Sequence, residues 1–160
     1  MKPSKHYSRL WILPAGLSLL LVLTACENIN RKSSVPNMPV SYTVRITSEY
    51  PHFVVENGFQ TMRITKKNYM YDYTGYAGLL VWVGMDNAYH AADLCCPFCV
   101  QAHKPLLVDG IFAVCEQCHE HYDISYGIGN PTKGVTDEPL KRYYTSYRNT
   151  PTGAELQIFN

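Results

Sequence analysis

The sequence predicts an all-β fold, either a sandwich or a small barrel of antiparallel strands. Short apolar or alternating runs recur along the chain, and Gly, Pro and Asn separate them. No stretch carries apolar residues at helical spacing over several turns. The chain contains 13 tyrosines, and aromatic side chains pack well on the pleated surface of a sheet.

The first 25 residues are predicted to be an export signal that precedes the fold. Two lysines and an arginine come before an apolar run, residues 10–23. The run is shorter than a typical membrane-spanning helix. The run ends in Leu-Thr-Ala-Cys at residues 23–26, which resembles the lipobox of bacterial lipoproteins. The resemblance implies that Cys26 is lipidated and anchors the protein in a membrane of the bacterial cell envelope, outside the cytoplasm. An ordinary cleaved signal with a chance cysteine is the alternative.

Removal of the signal changes the charge balance of the chain. Lys and Arg fall from 14 to 11 while 13 Asp and Glu remain, so the formal net charge changes from +1 to −2. No basic face is predicted, which argues against a nucleic-acid partner. Residues 26–39 are polar, contain two prolines and lack periodicity, so they are predicted to be a flexible tether.

The folded body, residues 40–160, is predicted to consist of short strands in sequence order. An uninterrupted apolar run at residues 79–83 indicates a strand buried on both faces. The dipeptides Asn57-Gly58 and Asp109-Gly110 predict hairpin turns. Further strands are predicted at residues 40–46, 53–55, 89–94, 106–108, 111–114, 122–124, 140–147 and 154–159.

Residues 94–123 carry the candidate chemistry. Four cysteines form two C-x-x-C pairs, Cys96 with Cys99 and Cys115 with Cys118, separated by 15 residues. The predicted hairpin between the pairs brings its outer ends together, so the four sulfurs are expected to meet and bind one metal centre. Thiolates are soft ligands that suit zinc, a single iron or an iron–sulfur cluster.

The second cysteine pair resembles a ligand loop of the Rieske family. That loop runs cysteine, two residues, histidine, three residues, aromatic, aspartate, and here Cys115, Tyr122 and Asp123 match it. Residues 127–140 are similar to the family's later glycine and proline loop. The resemblance implies an antiparallel β sandwich or small barrel with a metal-knuckle subdomain at about residues 94–123. It also implies a [2Fe–2S] cluster and electron transfer to a redox partner.

Two departures from the family pattern leave the metal open. Cys118 stands where the family has a histidine, and Cys99 belongs to a C-x-x-C where the family has C-x-H. A bound cluster would therefore be held by thiolates alone. The alternative is a structural or interaction module in which the same site holds Zn²⁺ and has no redox role. His119 and His121 flank Cys118 and are candidates to bind the metal or donate hydrogen bonds to its ligands.

Other assignments of the cysteines follow from the predicted location. An oxidising compartment permits disulfides in place of a metal. The tetrapeptide Cys96-Pro-Phe-Cys99 is also found in glutaredoxins, but that chemistry needs a helix N-terminus, and the pattern here predicts a strand. Cys95 adjoins Cys96 on an extended segment, so its side chain is expected to face away from the site. No hydrolase motif is present, and an electron carrier is favoured over an enzyme.

Overall fold

The structure is a computed structural model that describes residues 33–160, so the predicted signal peptide and Cys26 lie outside the described residues. Within that range the chain has the all-β fold that the sequence predicts, with one four-residue helix, α1 (Ile46–Glu49), and a 3₁₀ turn at Val55–Asn57. None of the described helices is long and apolar enough to cross a membrane. The strands are β1 Val40–Arg45, β2 Gln60–Ile64, β3 Tyr73–Thr74, β4 Leu79–Val83, β5 Tyr89–Asp93, β6 Leu107–Asp109, β7 Phe112–Val114, β8 His121–Asp123, β9 Asn130–Lys133, β10 Arg142–Thr150 and β11 Gly153–Phe159.

Seven of these strands form a large antiparallel sheet in the order β2-β4-β5-β10-β11-β1-β3, which curls into a nearly closed barrel. The sequence alternates apolar and polar residues along β1, so Tyr42 and Val44 point into the barrel and are buried. They pack there against Leu156 and Ile158 of β11 and apolar residues of β4. This core forms the base of the domain.

Strand β4 connects the two parts of the domain because both of its faces are covered. Leu79, Val81 and Val83 point into the barrel core. Leu80 and Trp82, on the opposite face, pack against a second apolar cluster that includes residues of the smaller sheet. All five residues are buried, which explains why the sequence shows an uninterrupted apolar run here rather than an alternation.

The small sheet contains β6, β7, β8 and β9 in sequence order, and its strands are only three or four residues long. Strands β6 and β7 form the predicted hairpin. Asp109 pairs with Phe112, so the two turn residues are Gly110 and Ile111, one position later than predicted. Gly110 has φ +56°, a conformation that glycine adopts without a steric penalty.

The prediction of a strand at residues 53–55 is wrong, and so is the hairpin turn at Asn57-Gly58. Phe53 is buried in the barrel core, but the chain then forms a 3₁₀ turn, closed by the N–H of Gly58 donating to the carbonyl of Val55. Phe53 is apolar because it fills the core from a loop, which composition alone does not distinguish from a strand.

Strands β2, β3 and β9 are present although the sequence analysis did not identify them. Strand β9 is polar and contains Pro131. It lies at the edge of the small sheet, where a missing N–H costs no ladder bond. Because its pattern is neither alternating nor apolar, it has no signature that distinguishes it from a loop.

Residues 33–39 belong to the folded domain, whose predicted start is residue 40. Val35 is only 2% exposed. The hydroxyls of Ser33 and Ser34 and the backbone N–H of Ser34 donate to the carboxylate of Glu138. The ammonium of Lys141 donates to backbone carbonyls of Val35 and Pro36. Residues 33–39 are therefore fastened to the domain.

Candidate metal centre

The two cysteine pairs lie on loops that share one local geometry. The first loop follows β5, and the carbonyl of Cys96 accepts the N–H of Val100 at 2.9 Å. The second loop follows β7, and the carbonyl of Cys115 accepts the N–H of His119 at 2.8 Å. Val100 and His119, each directly after the second cysteine of its pair, have φ of 51° and 59°. Each loop therefore turns back on itself, as a tight metal knuckle does.

The positive φ of Val100 is unusual because a β-branched side chain is strained there. Backbone strain of this kind costs about 1–3 kcal/mol and persists only where the surrounding structure imposes it. Here the positive φ of Val100 belongs to the turn that brings Cys99 back beside Cys96. The strain is consistent with a loop shaped for its sulfurs.

The buried carboxylate of Asp93 fixes the chain just before the first loop. It accepts hydrogen bonds from the N–H groups of Tyr76, Ala77 and Cys95 at 2.7–3.0 Å and from the hydroxyl of Tyr143 at 2.7 Å. Asp93 is fully buried, and these four donors compensate for the loss of hydration of the charge. The first loop is thereby anchored to the large sheet.

The structure brings the sulfurs of Cys96, Cys99, Cys115 and Cys118 within 4.8 Å of one another. Two of these contacts join different loops: Cys96 to Cys118 at 3.6 Å and Cys99 to Cys115 at 3.8 Å. These four residues could therefore hold a metal ion. Without a metal, the same two contacts would allow disulfides that link the loops to each other.

The site has an inner and an outer side. Cys96 and Cys115 are 1% and 2% exposed and form part of the apolar cluster beneath the small sheet. Cys99 and Cys118 are half-buried, and Phe98, beside Cys99, is 52% exposed. A bound metal would lie close to the surface with its inner ligands held by packing.

The thiols differ in acidity. Burial would raise the pKa of Cys115, but the N–H groups of Cys118 and Gln117 directed at its sulfur lower that pKa below its ordinary value. Burial raises the pKa of Cys99, and burial and the adjacent Cys99 thiol raise the pKa of Cys118. A metal would bind by displacing protons from the thiols, since thiolates are the ligands.

Tyr122 contacts Cys96, which the sequence analysis did not predict. Its hydroxyl lies 3.3 Å from the sulfur of Cys96, and the side chain is fully buried. Burial, followed by the hydrogen bond with Cys96, raises the pKa of the phenol far above its ordinary value. The hydroxyl therefore remains protonated and can donate to a thiolate. The aromatic residue in the Rieske-like motif was the signal that could have identified this contact.

The fifth cysteine of this region is not part of the group. Cys95 is fully buried, and its sulfur contacts the carbonyl of Cys96 at 3.5 Å. Burial, the charge of Asp93 and the neighbouring Cys96 raise the pKa of Cys95 to about 12. A thiol held protonated in this way acts as a small apolar side chain.

The two candidate histidines are not among the residues that the structure groups around the site. His119 is exposed, and it is the residue of the second loop that has a positive φ. His121 lies on β8, and its ring packs edge-on against Phe112 at 6.1 Å between centroids. Among the described residues, the group close enough to share one ion consists of the four cysteines.

Glu120 is a further residue that sequence reasoning missed, because an acidic residue in a loop normally indicates a solvated side chain. It is 1% exposed, and its Oε1 accepts the N–H of Val135 at 2.6 Å. Gly134 has φ +125°, and a Cβ at that position would collide with the Glu120 carboxylate. Glu120 therefore fastens the segment after β9 against the second cysteine loop.

Comparisons of the chain with protein-family models, with curated proteins and with solved structures found no match.

Proposed function

We propose that this chain is a lipid-anchored protein of the bacterial cell envelope whose Rieske-like β domain holds one Zn²⁺ ion through Cys96, Cys99, Cys115 and Cys118. In this proposal the metal has a structural role. The observation that carries it is the spacing of the four sulfurs.

Tetrahedral geometry relates the sulfur spacing to the metal. Zinc–sulfur bonds of about 2.3 Å place the four sulfurs of one tetrahedral ion about 3.8 Å apart. Two of the six distances here are 3.6 and 3.8 Å, and none of the six exceeds 4.8 Å. A [2Fe–2S] core lies between its two ligand pairs and needs them further apart. The spacing therefore supports a single ion.

The small sheet supports a structural role for that ion. Its four strands have three or four residues each, at the lower end of the usual strand length. The cysteine loops lie between β5 and β6 and between β7 and β8, where a shared ion would connect these short elements. Four protein ligands leave no open position for catalysis, as in structural zinc sites.

Electron transfer through iron is the second candidate, and a specific observation favours it. Cys99 and Cys118 reach the surface of the domain, so an iron held there would lie close to a docked redox partner. The resemblance of Cys115, Tyr122 and Asp123 to a Rieske ligand loop supports the same role. In that case the metal is a single iron or an all-thiolate iron–sulfur cluster.

Metal analysis together with an absorption spectrum of protein purified without reductant separates these candidates. We expect one zinc per chain and no visible absorption. Visible bands with one iron per chain would support a single-iron carrier, and two irons with two sulfides would support a [2Fe–2S] carrier. A metal-free protein with disulfides from Cys96 to Cys118 and from Cys99 to Cys115 would overturn both proposals.

The anchor is tested separately. Residues 23–26 support lipidation at Cys26, and the short chain to the ordered body at Ser33 suits a domain held near its membrane. Cys26→Ala should release the protein from membranes or leave the signal uncleaved. A mature wild-type protein without lipid, or one whose membrane attachment is unaffected by Cys26→Ala, would contradict the anchor.

A further inference from the structure

We propose that residues 66–73 form a membrane-docking loop that rests on an anionic lipid surface. This inference rests on the proposed lipid anchor, because the anchor brings the domain to a membrane. The loop lies between β2 and the end of β3, on the large sheet. It is separate in sequence from both cysteine loops.

The docking loop exposes several large side chains together. Met70 is 95% exposed, Tyr71 65%, Tyr73 45% and Tyr69 41%. Single exposed apolar residues are ordinary, but a contiguous group indicates an interaction surface. Tyrosine is enriched at membrane–water interfaces because its ring is apolar and its hydroxyl remains hydrated.

The loop presents these side chains in a fixed arrangement. The carboxylate of Asp72, which is 5% exposed, accepts the N–H groups of Asn68 at 3.0 Å and Tyr69 at 2.8 Å. The rings of Tyr69 and Tyr71 stack at 5.4 Å between centroids. The exposed group is therefore built into the loop, and docking requires little ordering of the chain.

Positive charge surrounds the tyrosines. The ammonium of Lys67 lies 4.9 Å from the centroid of Tyr73, and the guanidinium of Arg45 lies 4.7 Å from that of Tyr69. Lys66 is exposed beside them. Glu49 pairs with Arg45 at 3.4 Å and neutralises it, and Asp72 is buried, so the two lysines leave this group with a net charge of +1. Lysines next to interfacial aromatics match anionic lipid headgroups, each contributing about 1 kcal/mol near such a surface.

The proposed anchor limits how far Ser33 can be from the membrane. Six residues separate Cys26 from Ser33, and Ser33 is fastened to Glu138. The seven Cα–Cα steps from Cys26 to Ser33 span at most about 24 Å. Strand β3 pairs with Val40 and Ser41, the first residues after the fastened segment. We expect a domain held this closely to have one face at the lipid surface. The exposed tyrosines and the lysines of the docking loop suit that face.

Tryptophan fluorescence tests the docking directly. Met70→Trp and Met85→Trp place a probe at two exposed positions, 95% and 51% exposed in the wild type. Met85 follows the end of β4 opposite to Leu79, which pairs with Ile64 just before the docking loop. Trp82 is fully buried and serves as a constant background. Each variant is prepared as the lipidated protein in vesicles of phosphatidylcholine and phosphatidylglycerol with brominated acyl chains. We expect bromine to quench the Met70→Trp probe but leave the Met85→Trp probe unchanged. No quenching, or equal quenching of both, would overturn the proposal.

A second measurement separates this inference from the anchor. The unlipidated chain of residues 27–160 should bind phosphatidylglycerol vesicles more tightly than phosphatidylcholine vesicles. Lys66→Ala and Lys67→Ala should each weaken that binding about fivefold, whereas Lys133→Ala, at an exposed position on β9, should not change it. Binding by this chain supports docking even if the native protein carries no lipid. A lipidated protein whose loop is not quenched would leave the anchor intact and overturn the docking.

Discussion

The large and small sheets of this domain are stabilised in different ways. The large sheet has strands of up to nine residues around a core of valines, leucines and isoleucines, so apolar burial is sufficient to hold it. The small sheet has strands of three or four residues. Its apolar cluster includes Cys96 and Cys115, and Cys99 and Cys118 pack against it. We therefore expect apolar burial to hold the large sheet and the cysteines to contribute to the stability of the small one. The following predictions test that division.

The largest expected effect comes from loss of one inner ligand. Cys96→Ser and Cys115→Ser should each abolish metal binding. Each should also destabilise the domain by about 2–5 kcal/mol, the range for loss of a disulfide or structural metal from a small domain. Removal of the metal with a chelator should have the same effect. Cys95→Ser is the matched control, because Cys95 is equally buried but outside the site. Metal content and melting temperature are the measurements. Equal metal loss from Cys95→Ser would refute the four-cysteine site.

A pair of neighbouring residues on β4 sharpens the comparison between the sheets. Leu79 and Leu80 are both fully buried, but Leu79 faces the barrel core and Leu80 the cluster beneath the small sheet. Each substitution to alanine should cost about 2–5 kcal/mol. We expect Leu80→Ala to weaken metal affinity as well, while Leu79→Ala leaves it nearly unchanged. Chemical denaturation and metal competition titrations measure the two quantities, and equal loss of affinity would contradict separate cores.

These positions also show what the sequence could and could not predict. The convergence of the cysteines was predictable because two C-x-x-C pairs and the hairpin between them are local features. The double-sided burial of β4 was predictable from its apolar run. The contacts of Asp93 with Tyr143 and of Tyr122 with Cys96 were not, because they join residues 50 and 26 positions apart. The fastening of residues 33–39 by Glu138 lies across about a hundred positions and leaves no local signal.

The acidity of the thiols makes metal binding depend on pH. Cys99 and Cys118 have raised pKa values, so at neutral pH a metal must displace at least their two protons. Metal affinity should therefore rise at least about a hundredfold per pH unit between roughly pH 6 and 8. Competition titrations and the protons released on binding measure this dependence. An affinity independent of pH would mean that the thiols are already ionised or do not bind the metal.

The metal-free protein should show the opposite pH trend in stability. The pKa of Cys95 is raised to about 12, and those of Cys99 and Cys118 are raised as well. A folded-state pKa above the unfolded value gives stability that is present at low pH and lost as the pH rises through the window between the two. The free energy of unfolding of the metal-free protein should thus fall above about pH 8.5, the ordinary value for cysteine. Chemical denaturation of the metal-free protein at pH values below and above about 8.5 checks whether the free energy of unfolding falls as the pH rises.

The smallest predicted effect concerns one hydroxyl. Tyr122→Phe keeps the ring that fills the cluster under the small sheet and removes only the donor to Cys96. Hydrogen bonds to charged groups contribute about 1.5–3 kcal/mol, and sulfur is a weaker acceptor than oxygen. We expect metal affinity to fall by about 1 kcal/mol, close to fivefold, with the fold retained.

Tyr143→Phe is the matched control for that substitution. Tyr143 also donates its hydroxyl inside the protein, but to the carboxylate of Asp93 at 2.7 Å. Its loss leaves a buried charge with one donor fewer, so it should lower the free energy of unfolding by about 1–3 kcal/mol and leave metal affinity nearly unchanged. The two variants remove the same atom from the same residue type, so any difference between them reports the partner of the hydroxyl. If both variants lower metal affinity equally, the Tyr122 hydroxyl acts through the stability of the domain and not through the sulfur of Cys96.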